Sequence, residues 1–293
     1  MIFTPSPLEK HHFRDELFYI KRDDLLDVDF SGNKARKVEY YLVNDFPKIK
    51  QIVSFGSNQS NAMYSLSVLA KMKGWRFIYF CDHVSIFLKE NPIGNYKYAL
   101  GNGMELRLSN DKCSDANSLD NDKTIIVQEG GRQNEAEVGL KNLALELISD
   151  IKKENIQNPY LFLPSGTGTT ALFLQKYLPF KVFTCSTVGD DLYLKAQWNM
   201  VDKNIDIYPN ILNSKKKYHY GKLYAEAYKI WKELKDDMRV EFDLLYDPIG
   251  WIKFLENKKK LKGTPIYIHQ GGLKGNESMK ARYERKFDKI TLI

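Results

Sequence analysis

Short runs of β-branched and aromatic residues alternate with longer amphipathic stretches along nearly all of this 293-residue chain. Segments 17–20, 51–55, 76–80, 124–127, 160–163, 181–184 and 266–268 read as strands, because such side chains suit a pleated, half-buried surface. Segments 34–44, 61–73, 136–149, 170–178 and 220–234 space their apolar residues along one helical face. A strand followed by a helix is carried across the sheet before the next strand begins, and such crossovers lay strands parallel. The expected fold is α/β: two interwoven domains with mainly parallel, helix-covered sheets. The length suits about two domains of roughly 150 residues. No low-complexity linker separates two halves strung in line.

Composition narrows the function classes. With 43% hydrophobic and 28% charged residues the chain has ordinary globular usage, which excludes a disordered or collagen-like chain. No apolar run approaches the ~20 residues that cross a bilayer, and residues 1–7 lack a basic segment leading into an apolar one. A cytoplasmic protein without a membrane partner is expected. Cys81, Cys113 and Cys185 form no C-x-x-C pair and the histidines show no ligand spacing, so no metal is expected and the thiols read as lone and buried. The net charge of +7 includes the runs Lys215-Lys216-Lys217 and Lys258-Lys259-Lys260. Aromatic residues are spread along the chain rather than interleaved with these runs. They therefore read as solvated surface, with no nucleic-acid partner, while the charge suits an anionic small molecule.

Open α/β sheets place ligands where strands hand over to helices, and three such junctions stand out. Tyr160-Leu161-Phe162-Leu163 runs into Pro164-Ser165-Gly166-Thr167-Gly168-Thr169-Thr170 and then a helix. Glycines there turn N–H groups inward and the helix dipole adds positive potential, so a phosphate would sit well, although a plain tight turn is an equal reading. Ser57-Asn58-Gln59-Ser60-Asn61 again lies between strand and helix; Ser60 or Asn61 as a mere N-cap is an equal reading, but five polar side chains in sequence are more than a cap requires. In the third, Gly32-Asn33 precedes Lys34 in the first turn of a helix. A cation there opposes the macrodipole, at a cost of about 0.3–1 kcal/mol, and a lysine that must be neutral part of the time gains from that field, as an imine-forming lysine does. Lys37, three residues on, reads as a solvated helix charge.

Together these pieces resemble the aminocyclopropanecarboxylate deaminase/D-cysteine desulfhydrase family, fold-type II enzymes that are similar to the tryptophan synthase β chain. Ile20-Lys21-Arg22-Asp23-Asp24 and Ser31-Gly32-Asn33-Lys34-Ala35-Arg36-Lys37 look like its "IKRDDL…GGNKxRKLE" signature. Gln59-Ser60-Asn61 matches "QSN", Val127-Gln128-Glu129-Gly130-Gly131-Arg132-Gln133-Asn134 resembles "PEGGSN", Ser165 to Thr170 resembles "TGSGGT", and Ile268-His269-Gln270-Gly271-Gly272-Leu273 resembles "IHTGGL". The resemblance implies pyridoxal 5′-phosphate (PLP) as cofactor, with Lys34 forming its aldimine. Asn61 would then contact the pyridine 3-oxygen, and Gly166, Thr167, Gly168, Thr169 and Thr170 would hold the phosphate. Gln59, Ser60 and Asn61 would bind the substrate, Ser60 standing by its carboxylate or shuttling protons. It further implies a homodimer, and a large PLP-binding domain from 1–45 and 150–293 around a small α/β domain at 46–149.

The chain departs from the family pattern late in its length. Gly250 stands where the family's "DP-x-Y-x-G-K" segment carries a tyrosine; Tyr246 lies on the other side of Asp247-Pro248. A second family tyrosine matches Tyr224, with Tyr220 left open by an offset in Tyr218-His219-Tyr220-Gly221-Lys222-Leu223-Tyr224. Gln270 replaces the threonine of "IHTGGL", which resembles the hydroxyl residues near the pyridine nitrogen of fold-type II enzymes. The expected activity is a PLP-dependent lyase or deaminase on a small amino acid: β-elimination to a 2-oxo acid and ammonia, with Lys34, Ser60 and Tyr224 as catalytic residues. Ring opening of aminocyclopropanecarboxylate, β-replacement, and a PLP-binding protein without turnover are the alternatives.

Overall fold

A computed structural model of the chain describes residues 3–30, 32–203 and 207–287. Strands β1 (Leu8–Phe13) and β2 (Glu16–Arg22) form a hairpin, closed by Arg14 and Asp15 at φ 51° and 61°. There follow α1 (Asn33–Val43), β3 (Gln51–Phe55), α2 (Asn61–Lys73), β4 (Arg76–Cys81), α3 (Ile86–Glu90), α4 (Gly94–Gly101), β5 (Met104–Leu108), α5 (Lys112–Asn117) and β6 (Thr124–Val127). After α6 (Glu137–Lys153) come β7 (Pro159–Ser165), α7 (Thr169–Tyr177), β8 (Val182–Ser186), α8 (Asp191–Val201) and β9 (Asn210–Ile211). Helices α9 (Ala225–Met238) and α10 (Asp247–Asn257), strand β10 (Thr264–His269) and helix α11 (Asn276–Phe287) complete the chain.

Two sheets result, with strand orders β1-β2-β10-β7-β8-β9 and β5-β4-β3-β6. Only the β1–β2 hairpin is antiparallel among the described pairs; all others are parallel, as the strand–helix alternation requires. Every strand expected from sequence is present. β1, β5 and the two-residue β9 were not expected, because edge strands such as Met-Glu-Leu-Arg-Leu mix charges into their pattern. The helix expected from 220 begins at Ala225 instead, since Gly221 sits at φ 71° and Tyr224 is extended as its N-cap.

The cores cross the expected domain division at both ends. α1 contributes Ala35, Val38, Tyr41 and Leu42 to the core of the four-stranded sheet with Ile52 and Met63. α6 contributes Leu140, Leu143 and Leu147 to the core of the six-stranded sheet with Leu161 and Ile266. Between them lies a buried ionic network drawn from the Lys-Arg-Asp-Asp run. Lys21, fully buried, reaches Asp150 at 2.8 Å and the Ser6 carbonyl at 2.6 Å; Arg36 pairs with Asp23 at 2.9 Å and Glu146 at 2.6 Å. Each charge is matched, so removal of one partner strands another and costs roughly 3–5 kcal/mol. The network pins β2, α1 and α6 together and so fixes where α1 starts.

No helix among the described residues is long and apolar enough to cross a membrane. Cys81 and Cys185 are buried as expected, whereas Cys113 is exposed on the short α5, which covers little with its outer face.

Candidate active site

The start of α1 is held against the end of β10. Gly32 has φ 45°, and a Cβ there would fall 2.0 Å from the Gln270 carbonyl oxygen, so glycine is required by both conformation and space. Asn33 donates its backbone N–H to that oxygen at 3.0 Å and its side-chain amide to Gln270 Oε1 at 2.6 Å and Thr170 Oγ1 at 3.2 Å. Ser31 of the motif lies outside the described residues. Lys34, half-buried, lines a pocket with Ser60, Asn61, the 165–170 loop and Gln270. Burial lowers its ammonium pKa to about 8, against the opposing pull of the Asp243 carboxylate. An amine in that range is available as nucleophile and base near neutrality.

Lys37 is not the solvated charge expected from its spacing. It is buried, and its ammonium donates to the Gly130 carbonyl at 2.9 Å; burial and then the Lys34 charge push its pKa well below the usual lysine range. Its helix face is covered by the Gly130-Gly131 turn, which no local pattern discloses.

Across the pocket, β7 ends in Ser165, whose hydroxyl lies 2.6 Å from Thr184 Oγ1. Gly168 has φ 72°, a Cβ there would sit 2.3 Å from Trp198 Nε1, and the indole donates to the Gly168 carbonyl at 3.1 Å. No side chain caps α7, so its first N–H groups and the hydroxyls of Thr167 and Thr169 (3.2 Å apart) are left for an anion. That is what a phosphate monoester needs.

Ser60 caps α2, accepting from Ala62 N at 3.1 Å and Met63 N at 3.3 Å, and its hydroxyl is also within hydrogen-bond reach of Tyr79. Asn61 accepts from Asn95 Nδ2 at 2.7 Å and turns its own amide toward Asp243. Gln59 is turned away from the pocket to the Ile93 carbonyl, 3.0 Å from its Nε2. Gln270 is in the pocket, its amide spent on Asn33 and on the Pro164 carbonyl at 2.7 Å. Tyr224 is not in the pocket: its hydroxyl accepts from His219 N at 2.9 Å, because the 218–224 segment folds on itself ahead of α9. Tyr220 and Tyr246 face the pocket instead. Gly250 is inside α10, where a Cβ would meet Pro164 Cβ at 2.9 Å, so no side chain there could reach the pocket.

Asp243 and Asp247 also line the pocket and went unnoticed in the sequence. Asp243 accepts from Leu245 N at 2.8 Å and Tyr246 N at 2.5 Å, yet burial raises its pKa to about 6. Asp247 accepts from Asp243 N at 3.0 Å and Tyr267 Oη at 2.5 Å; burial, then the Asp243 charge, raise its pKa well above the usual range. The available signal was an acid set among apolar residues in Phe242-Asp243-Leu244-Leu245, since such a charge is rarely buried without a task.

No protein-family model matches the sequence. It is 24% identical over 285 residues to a Pyrococcus abyssi protein named "Putative 1-aminocyclopropane-1-carboxylate deaminase", covering 88% of this chain and 84% of that one. A D-cysteine desulfhydrase of Serratia proteamaculans is 24% identical over 204 residues, which cover 61% of this chain and 60% of its own. The fold matches the crystal structure of an ACC deaminase homologue with a TM-score of 0.77 at 20% identity, over 96% of this chain and 93% of that one. The motifs, these relatives' names and the shared fold agree with the resemblance to the aminocyclopropanecarboxylate deaminase/D-cysteine desulfhydrase family. The names of these relatives match the enzyme class that the motifs implied, a lyase or deaminase dependent on PLP. The residues fit that group: a lysine of lowered pKa and an uncapped helix end flanked by the Thr167 and Thr169 hydroxyls share one pocket.

Proposed function

We propose that the protein eliminates a β-substituent from a small amino acid, releasing a 2-oxo acid and ammonia, with Lys34 as the lysine that carries PLP. The observation that carries this reading is the meeting of Lys34 with the uncapped α7 end and a tyrosine pair in one pocket. PLP, when bound, supplies a ring that spreads the negative charge left on Cα. The N–H groups of Thr169 and Thr170 and the neighbouring hydroxyls would hold the phosphate dianion, whose charge the α7 dipole would favour. The Lys34 amine takes the proton from Cα, a task its pKa of about 8 suits. The Ser60 hydroxyl at the start of α2 faces the substrate carboxylate. Tyr220 and Tyr246 hold a proton at the leaving group. A panel of D- and L-cysteine, β-chloroalanine and aminocyclopropanecarboxylate, read by 2-oxo acid release, tests the reading. Elimination from the β-substituted substrates is expected; turnover of the cyclopropane alone would replace elimination by ring opening, and spectral shifts without turnover would leave a PLP-binding protein.

A further inference from the structure

Beside the reaction pocket lies a second space, a cleft of about 780 Å³, within the range of sites that take whole organic ligands. The two are continuous: Ser57, Asn61, Tyr220 and Asp243 line both. The cleft runs outward between the 83–97 segment and α11, and its walls include Phe87, Leu88, Ile93 and Met279. Phe87 is 63% exposed on the short α3, an apolar ring turned to water at the edge of an active site. The cations of the cleft rim, Lys97 and Arg285, are exposed. Arg282 spends its guanidinium on the Gly221 carbonyl at 2.7 Å and on Met279 Sδ at 3.2 Å. Phe87, Leu88, Ile93 and Met279 line this cleft and not the pocket that holds Lys34 and Ser60.

We infer that the cleft receives the β-substituent of the substrate, and that the substrate is an amino acid whose β-carbon bears a bulky apolar group through sulfur, such as an S-aryl cysteine. This rests on the elimination proposed above. The Cα proton passes to Lys34, the Cβ–S bond breaks with its electron pair on sulfur, and the thiolate takes a proton as it leaves. Water then completes the balance: one S-aryl cysteine and one water give one aryl thiol, one pyruvate and one ammonium ion. The gain comes from burying the aryl ring against the exposed Phe87 and the part-exposed Leu88 and Ile93, with the buried Met279 as the inner wall.

The cleft is tested apart from the chemistry with 2-amino-4-phenylbutanoate, which has the shape of S-phenylcysteine and no leaving group. Titration calorimetry on the PLP-loaded enzyme, with both enantiomers, should show one of them bound at least about tenfold more tightly than the corresponding alanine. Phe87→Asp and Leu88→Trp, both on the outer helix α3, should each remove most of that gain and leave alanine binding unchanged. Equal affinity for the two ligands, or a gain that survives both variants, overturns the inference. Turnover then separates it from the proposed reaction. Release of pyruvate from β-chloroalanine but not from S-phenylcysteine, with no affinity gain, overturns the cleft assignment and leaves the elimination standing. An intact gain with no elimination from either substrate overturns the reaction and supports the cleft.

Discussion

The hydroxyl groups of Tyr220 and Tyr246 lie 3.0 Å apart in the pocket wall, although 26 residues separate them in the chain. One stands ahead of Gly221 in an irregular segment, the other caps α10. Burial raises the pKa of both, and for Tyr246 the neighbouring Tyr220 adds to it, so the pair keeps its protons at neutral pH and can offer one. Tyr246→Phe should therefore lower kcat for elimination by roughly 10²-fold, in keeping with the loss of a positioned proton donor. Tyr224→Phe should leave kcat unchanged and cost only about 1 kcal/mol in urea unfolding for its lost bond to His219 N. Equal kinetic loss in the two variants would remove the pair from the mechanism.

Lys34 should be the residue that bonds PLP. Borohydride reduction and peptide mapping are expected to place the pyridoxyl group on residue 34 and not on Lys37, whose ammonium is engaged by the Gly130 carbonyl. Only the neutral amine attacks an aldehyde. Capture of PLP by the cofactor-free protein should accordingly accelerate as pH rises and level off above about 8. A rate that keeps climbing past pH 10 would assign Lys34 an ordinary pKa.

Asp243 should make its own mark on stability. Its carboxyl has a native pKa of about 6 against 3.8 for a free side chain. Between those values the native state binds more protons than the unfolded one. The contribution of Asp243 is therefore fully present below about pH 4 and is lost as pH rises through 6. Relative to Asp243→Asn, the cofactor-free wild type should lose on the order of 3 kcal/mol across that window, measured by urea unfolding at a series of pH values. A flat difference between the two proteins would contradict this.

Gln270→Glu should destabilise the fold. The Gln270 amide nitrogen donates to the Pro164 carbonyl, while its oxygen accepts from Asn33. A carboxylate would set oxygen against the Pro164 oxygen and forfeit that bond, a loss of about 1–3 kcal/mol. An unchanged unfolding midpoint would show that Gln270 is not the tie between β10, β7 and α1.

Local chemistry was enough to disclose much of this protein. The period-two and helical patterns located the seven expected strands, and the Gly-rich junctions placed Lys34, Ser60, Asn61, residues 166–170 and Gln270 in what proved to be one pocket. Those signals are written in consecutive residues: a turn demands its glycine, a helix its cap, a phosphate loop its N–H groups. What the tertiary structure decided depends on partners distant in the chain. Lys37 is buried because the Gly130 turn lies over it, and Asp243 faces Lys34 because β10 brings the 242–247 segment beside α1 and α2. Tyr220 rather than Tyr224 meets Tyr246 because Gly221 breaks the helix before it can form. Gln59 points to Ile93, away from Lys34, because α4 closes over it. Burial and pKa are properties of the assembled surroundings, so a motif names the residues of a site while only the packed fold settles their charges and their neighbours.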